Sequence, residues 1–134
     1  MAQLEPSIYQ LLASESLELA CSKINSHILK ISSGCEETDY ATDDKNYSQT
    51  RYRGKKYYCH VLTAMRHYGR PPKQGEEVSH LCHNRKCVKP QHLVMESGLV
   101  NKSRLCCEIY KNKKGYFCPH EPTCTGLEAV KKSE

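Results

Sequence analysis

Cysteine and histidine side chains crowd the second half of the chain at spacings that suit a metal ion. Cys82, Cys87 and His92 follow the pattern C-x4-C-x4-H. Three soft or borderline donors carried on one loop can reach a single tetrahedral ion, and zinc is the ion that combines thiolate with imidazole. The spacing therefore predicts a zinc site that needs one further ligand.

The fourth ligand of this first zinc site must come from elsewhere in the chain. Cys35 is our choice because it follows a glycine in a flexible stretch, and Cys21 and Cys59 are the alternatives. His83 is less suitable, since it directly follows the first ligand and would have to bend back sharply. His80 stays open as a ligand in place of Cys35.

A second group of metal-binding residue types lies closer to the C-terminus. Its knuckle has the spacing C-x-H-x3-C, and a cysteine at the end of an expected helix would complete a closed, four-ligand structural zinc site. Cys106 competes with Cys107 for that place, and only the direction in which each faces from the helix separates them. The predicted ligands are Cys107, Cys118, His120 and Cys124.

The composition favours metal binding over disulfides or buried free thiols. The 134 residues include nine cysteines, an odd number that does not suit a fully disulfide-bonded secreted domain. A single phenylalanine and no tryptophan indicate a small hydrophobic core. Two zinc ions would compensate for that core, because binding of a structural zinc contributes about 10 kcal/mol to folding.

Two polar residues remain once the zinc ligands are assigned. His80 lies two positions before Cys82, and Asn101 lies on an expected helix near Lys102 and Arg104. Taken alone, Asn101 can be an ordinary polar residue of a helix surface. The two residues become informative through their order relative to the cysteines.

The segment from Ser79 to Arg104, SHLCHNRKCVKPQHLVMESGLVNKSR, resembles the His-Cys box of homing endonucleases in the His-Me finger, or ββα-metal, superfamily. The knuckle from Cys118 to Cys124 extends the resemblance. The resemblance implies a small, zinc-stabilised ββα-metal fold of the α+β class, with short antiparallel strands, few helices and two structural zinc sites. It also implies that His80 lies on a strand, that Asn101 lies on the facing helix, and that one Mg²⁺ ion binds between them.

The resemblance also implies a chemistry. Phosphodiester hydrolysis needs an activated water on one side of phosphorus and neutralisation of charge at the leaving oxygen on the other. His80 would be the general base, because an imidazole with the ordinary pKa of about 6.5 is largely neutral at cellular pH. Asn101 would hold Mg²⁺. In this family an arginine on an upstream strand contacts the scissile phosphate, and the resemblance assigns this role to Arg51, favoured by its T-R context, or to Arg53.

Basic residues are segregated along the chain, whose net charge is +5. An acidic stretch, Glu36 to Asp44, precedes the segment from Arg51 to Lys73, which contains no carboxylate. Within this region residues 50–58, TRYRGKKYY, predict a strand or hairpin with one charged face. Such a face suits the phosphates and base edges of double-stranded DNA, and a solvated basic surface is the alternative. The predicted DNA-binding residues are Arg51, Arg53, Lys55 and Lys56.

The chain is expected to form one domain, residues 1–134, with three parts. Residues 1–34 are the N-terminal helical part. Residues 35–75 carry the acidic loop, the basic strand and a short helix. Residues 76–134 carry the His-Cys box and the second zinc knuckle.

Hydrophobic spacing predicts the elements that position these residues. Pro6 to about Leu29 suits one or two amphipathic helices, and His60–Tyr68 suits a short helix that Gly69 ends. A strand should begin at Glu77. We further predict a helix from Glu96 to Cys107.

Two functions of different classes fit the sequence. We predict a Mg²⁺-dependent DNA endonuclease, a hydrolase acting on phosphodiester bonds, and the alternative is a catalytically inactive, zinc-stabilised nucleic-acid-binding module. His80 and Asn101 favour the enzyme, because a pure binding module needs neither. The chain has no secretory signal and no long apolar run, so we expect an intracellular, nuclear protein that binds DNA and no membrane. A homodimer is left open.

Overall fold

The computed structural model describes residues 6–31 and 34–130. Two helices come first, α1 (Pro6–Gln10) and α2 (Ser14–Asn25), and two short strands follow, β1 (Ile28–Lys30) and β2 (Glu36–Thr38). The expected N-terminal helical region therefore ends at Asn25, and residues 28–30 pair with β2 as a strand.

The remaining elements carry the residues of functional interest. Strands β3 (Gln49–Tyr52) and β4 (Lys55–Tyr58) lead directly into helix α3 (Cys59–Tyr68). Strands β5 (Glu76–His80) and β6 (Leu93–Ser97) follow, and then helices α4 (Gly98–Ser103) and α5 (Leu105–Tyr110). A single 3-10 turn, Pro90–His92, leads into β6.

The strands of the described residues pair antiparallel, β1 with β2, β3 with β4, and β5 with β6. Helix α4 contacts both strands of the last pair. The prediction of an α+β fold with short antiparallel strands and few helices is confirmed, and β5, β6 and α4 form its ββα unit.

The hairpin of β3 and β4 is closed by Arg53 and Gly54. Both residues have positive φ, 50° and 79°, which is the conformation of a tight two-residue turn whose twist matches that of the strands. Arg51 lies opposite Lys56 in this hairpin. Both side chains are exposed, as expected for a hairpin with one charged face.

Helix α3 provides the centre of the hydrophobic core. Its buried residues Val61, Leu62 and Met65 belong to one cluster with Ile24 of α2 and Leu93 of β6. The helix ends as predicted, because Gly69 adopts a left-handed conformation and its N–H donates to the Met65 carbonyl at 2.8 Å. In the part of the chain that the structure covers, no helix has the length and hydropathy to cross a membrane.

The prediction of one helix from Glu96 to Cys107 is wrong. Leu93–Ser97 forms β6, because these residues pair with β5 along its whole length and bury Leu93 against α3. Helix α4 begins only after Ser97, whose hydroxyl accepts a hydrogen bond from Val100 N at 3.2 Å. The turn at Arg104 then separates α4 from α5.

Candidate metal centres and catalytic pocket

The loop after β5 and the start of β2 come together in the first Cys/His cluster, called cluster 1. The Val88 N–H donates to the Glu36 carbonyl at 2.7 Å, and Glu37 pairs with Cys87 in an isolated bridge. These contacts bring the residue before β2 next to the loop. The candidate donor atoms, all within 4.8 Å of one another, belong to Cys35, Cys82, Cys87 and His92.

Cluster 1 has the donor set and spacing of a structural zinc site. Nδ1 of His92 lies 3.4 Å from Sγ of Cys87 and 3.7 Å from Sγ of Cys35. The pKa of the Cys87 thiol is lowered to about 5, chiefly because the Cys82 thiol hydrogen-bonds to it. The Lys89 N–H also points at Cys87 Sγ, at 3.4 Å. These contacts favour the thiolate, which is the form that binds zinc.

The structure brings Cys35 to cluster 1 and leaves the alternative cysteines in the hydrophobic core. Cys21 and Cys59 are almost fully buried there, and burial raises the pKa of each thiol to about 11. Such thiols stay protonated and behave as small apolar side chains. His80 is not among the donors gathered in the cluster, and its Nε2 is hydrogen-bonded to the Cys87 carbonyl.

The second cluster, cluster 2, joins the end of the helical region to the C-terminal segment. Nδ1 of His120 lies 3.3 Å from Sγ of Cys107 and 3.4 Å from Sγ of Cys118, and its Nε2 lies 2.9 Å from Oγ of Ser103. The contact with Ser103 fixes the ring, as a supporting hydrogen bond does at metal sites. The candidate ligands are Cys107, Cys118, His120 and Cys124.

The side chains of two neighbouring cysteines decide which one belongs to cluster 2. Cys107 is completely buried among the other ligands, whereas Cys106 is exposed. Both clusters therefore offer three thiols and one imidazole, and each is able to bind zinc.

A buried arginine connects cluster 2 to β6. Arg104 is 2% exposed, and its Nε and Nη2 donate to the Glu96 carboxylate at 2.5 and 2.8 Å. Its Nη1 lies 2.8 Å from the Pro122 carbonyl and 3.3 Å from Sγ of Cys124. No role was predicted for Arg104 from the sequence, and only the fold shows that it is buried between β6 and cluster 2.

His80 ends β5, and the zinc-site loop determines the direction of its ring. Its Nε2 lies 3.0 Å from the carbonyl oxygen of Cys87. A carbonyl can only accept a hydrogen bond, so Nε2 carries the proton and Nδ1 carries the free lone pair of the neutral imidazole. Cys87 therefore contributes its thiol to cluster 1 and its carbonyl to His80.

Two aromatic rings lie against the imidazole of His80. The ring centroid of His60 lies 4.7 Å from it and that of Tyr47 lies 5.9 Å from it, while Tyr47 stacks on His60 at 5.0 Å. Burial lowers the pKa of His80 to about 4 and holds the pKa of His60 well below 6.5. Both histidines are therefore neutral at cellular pH. Neither His60 nor Tyr47 carries a sequence signal for this position.

Asn101 faces β5 from helix α4. Its Nδ2 donates to Oε1 of Glu77 at 2.7 Å, and a carboxylate oxygen can only accept, which fixes the orientation of the amide. The amide oxygen is left with no hydrogen-bond partner among the described residues. An amide oxygen beside a carboxylate is a hard donor set that fits Mg²⁺. The sequence gives no indication of the Glu77 contact.

His80 and Asn101 line the same cavity, of about 540 Å³. Arg85 and Lys102 give the cavity positive charge, and Glu108 gives it one negative charge. The remaining lining residues are Tyr47, Val78, His83 and Leu105. The structure thus unites the predicted base and the predicted magnesium ligand in one pocket.

The predicted phosphate-contacting arginines occupy a different surface. Among the described residues that line the cavity, neither Arg51 nor Arg53 is present. Both lie exposed on the β3–β4 hairpin with Lys55 and Lys56. Arg85 lines the cavity but was not predicted to belong to the site. It is an exposed loop residue between two predicted zinc ligands, where no periodic pattern marks it.

Comparison with known proteins agrees with this architecture. The family described as "Zinc-binding loop region of homing endonuclease" matches residues 25–134, which include both clusters, His80 and Asn101. "Protein 2.8" of Escherichia phage T7 is 34% identical over 115 residues, and the match covers 80% of this chain and 73% of that protein. The name of the phage protein states no activity.

Proposed function

The chain belongs to the homing endonuclease family defined by this zinc-binding loop region, and we propose on that basis that it is a Mg²⁺-dependent endonuclease acting on double-stranded DNA. One observation carries the proposal. A histidine held by a backbone carbonyl and an asparagine with a free amide oxygen line one cavity of about 540 Å³.

His80 is the general base in this proposal. Nδ1 accepts a proton from a water molecule, the water oxygen attacks phosphorus, and the bond from phosphorus to the leaving 3′-oxygen breaks. Burial lowers the pKa of His80 to about 4, so the ring is neutral at cellular pH, and the negative charge of a bound phosphate would raise this pKa towards the value that suits a general base. The Cys87 carbonyl holds the opposite nitrogen and stabilises the imidazolium that forms, because Nε2–H then donates to it more strongly.

Asn101 provides the amide oxygen for the metal, and Glu77 holds the amide so that this oxygen is the free atom. When bound there, Mg²⁺ would neutralise charge on the scissile phosphate and the leaving oxygen. The family resemblance and the hard oxygen donor both support this assignment.

DNA binding in the proposal uses the β3–β4 hairpin as well as the pocket. Arg51, Arg53, Lys55 and Lys56 are exposed on a twisted two-stranded ribbon, which is an element that fits the major groove. The proposed substrate is DNA, which lies inside the cell. We therefore propose that the protein is intracellular and nuclear. A homodimer with both copies of the chain on one DNA site is compatible with this function.

The test is cleavage of mixed supercoiled and genomic DNA by zinc-loaded protein, with and without Mg²⁺. We expect Mg²⁺-dependent nicking that falls by about 100-fold to 10,000-fold in His80→Ala, because a general base contributes that much. His67→Ala is the matched control, since His67 is an exposed histidine of α3 outside the cavity. Zinc content and circular dichroism establish that each variant is folded.

Three outcomes would contradict parts of the proposal. Equal cleavage by His80→Ala and His67→Ala would remove His80 from the mechanism. Loss of zinc and of secondary structure in His80→Ala would make His80 a structural residue. Salt-sensitive DNA binding without any cleavage would identify the chain as the catalytically inactive nucleic-acid-binding module.

A further inference from the structure

Arg85 stands at the junction of two cavities. It lines the cavity of His80 and Asn101, of about 540 Å³, and also a neighbouring one of about 310 Å³ formed with Asn46, Asn84 and Lys86. His83 lines both as well. The two cavities therefore adjoin at Arg85 and His83, and together they are called the groove.

The guanidinium of Arg85 is held in place on two sides. Its Nη1 donates to the Lys45 carbonyl at 3.2 Å, and its central carbon lies 5.4 Å from the centre of the Tyr47 ring. Within the described ranges no carboxylate forms an ion pair with it. Its remaining N–H donors and its charge are thus available to an anion in the groove.

Tyr47 relates the position of Arg85 to that of His80. The ring that supports the guanidinium also stacks on His60, and its centroid lies 5.9 Å from that of His80. Asp43 fixes the loop that carries Tyr47, because its Oδ1 accepts from the Tyr47 N–H at 3.0 Å. A phosphate held by Arg85 therefore lies at a defined place relative to the base.

We propose that Arg85 binds the scissile phosphate of the DNA strand in the groove, in place of Arg51 or Arg53. The planar, five-donor guanidinium can bind two phosphate oxygens at once. Lys102 also lines the cavity, but an ammonium on a flexible chain gives charge without this fixed geometry. The assignment rests on the proposed endonuclease function and leaves the hairpin arginines to contact phosphates outside the pocket.

The experiment compares Arg85→Ala, Arg85→Lys, Arg53→Ala and Arg66→Ala in kcat, in KM and in DNA affinity. Arg85→Ala should lower kcat about 100-fold, because loss of one preorganised donor to the reacting phosphate costs that much. Arg85→Lys should recover only part of the rate, since it restores charge without the fork. Arg53→Ala should raise KM and leave kcat almost unchanged. Arg66, which pairs with Glu18 on the surface, is the control that should match the wild type.

The outcomes separate this inference from the proposed function. Wild-type cleavage together with an unchanged kcat in Arg85→Ala would overturn the role of Arg85 and leave the endonuclease standing. If the wild type does not cleave DNA, the proposed function fails. The salt dependence of DNA binding then shows whether Arg85 contacts a phosphate. A slope of log Kd against log salt that falls by about one unit in Arg85→Ala supports a phosphate contact, and an unchanged slope overturns it.

Discussion

Clusters 1 and 2 have identical donor sets and different places in the molecule. Cluster 1 gathers ligands from Cys35 to His92 and so joins β2 to the loop after β5. Cluster 2 gathers ligands from Cys107 to Cys124, which are near one another in the chain. A ligand residue of cluster 1 also bonds to His80, whereas cluster 2 reaches helix α4 through the contact of His120 with Ser103.

This difference separates two uses of the same metal chemistry. Cluster 1 adjoins the main hydrophobic core, to which Val88 and Leu93 belong, and orients the proposed base. Cluster 2 has its own small apolar surroundings, Tyr116 and Leu127. We therefore expect loss of cluster 1 to abolish the fold, and loss of cluster 2 to release the C-terminal segment and loosen the helix that carries Asn101.

The largest expected effect is on thermal unfolding, in which Cys87→Ser and Cys118→Ser should differ. A structural zinc contributes about 10 kcal/mol to folding, which equals the whole stability of a typical small domain. Cys87→Ser should therefore eliminate the cooperative thermal transition measured by circular dichroism. Cys118→Ser should lose one zinc ion and keep a transition from the core of α2, α3, β5 and β6. Cys106→Ser is the control, since this thiol is exposed and should change neither zinc content nor melting temperature.

Equal loss of the transition in Cys87→Ser and Cys118→Ser would abolish the distinction between the clusters. Zinc content should be measured in both variants, because residual binding by the remaining ligands would obscure the comparison.

The buried ion pair of cluster 2 gives the next largest effect. Arg104→Ala leaves the Glu96 carboxylate largely buried without its partner, which typically costs about 3–5 kcal/mol. Urea unfolding should show this loss in the free energy of unfolding. Arg66→Ala breaks an exposed ion pair with Glu18 and should cost less than about 1 kcal/mol. Similar losses in the two variants would mean that Arg104 does not stabilise cluster 2.

The smallest expected effect is the pH dependence of the free energy of unfolding that comes from His60, which packs against His80 next to cluster 1. His60 is neutral in the fold because burial holds its pKa well below 6.5, and the groups that face it are Tyr47, Tyr58 and His80. Below about pH 6.5 the unfolded chain binds a proton at this residue and the folded chain does not. The free energy of unfolding should thus fall as pH falls, by about 1.4 kcal/mol per pH unit for this histidine.

The measurement for this prediction is urea unfolding between about pH 7 and pH 5 for the wild type and for His60→Leu. The variant lacks the titrating ring, so its stability should decline less steeply with falling pH. Parallel declines in the two proteins would show that His60 is not the source of the pH dependence.

The sequence predicts those parts of the site whose residues are close together in the chain, because their spacing determines how they are placed. The knuckle of Cys118, His120 and Cys124 and the loop ligands Cys82 and Cys87 lie close together in the chain, so spacing alone brings their donors together. The β3–β4 hairpin is predictable for the same reason, because its turn needs only Arg53 and Gly54 in a suitable conformation.

The parts that the sequence does not predict depend on residues far apart in the chain. Glu77 orients Asn101 across 24 positions, and Arg85 is held by Lys45 across 40 positions. Glu96 and Ser97 show the same limit, because their pairing with β5 overrides the helix predicted to begin at Glu96. Only folded contacts determine these features.

Cys87 uses two of its groups at once, its sulfur in cluster 1 and its carbonyl on His80. An insertion or deletion between His80 and Cys87 would therefore shift a zinc ligand and a proton acceptor together. Intervening residues that neither bind zinc nor line the catalytic cavity, such as Lys86, can change in identity without this consequence, but a change in their number cannot be absorbed. Changes in length are then more easily accommodated in other loops, among them the loop between β2 and β3, whose tip at Lys45 and Asn46 lies beside the groove.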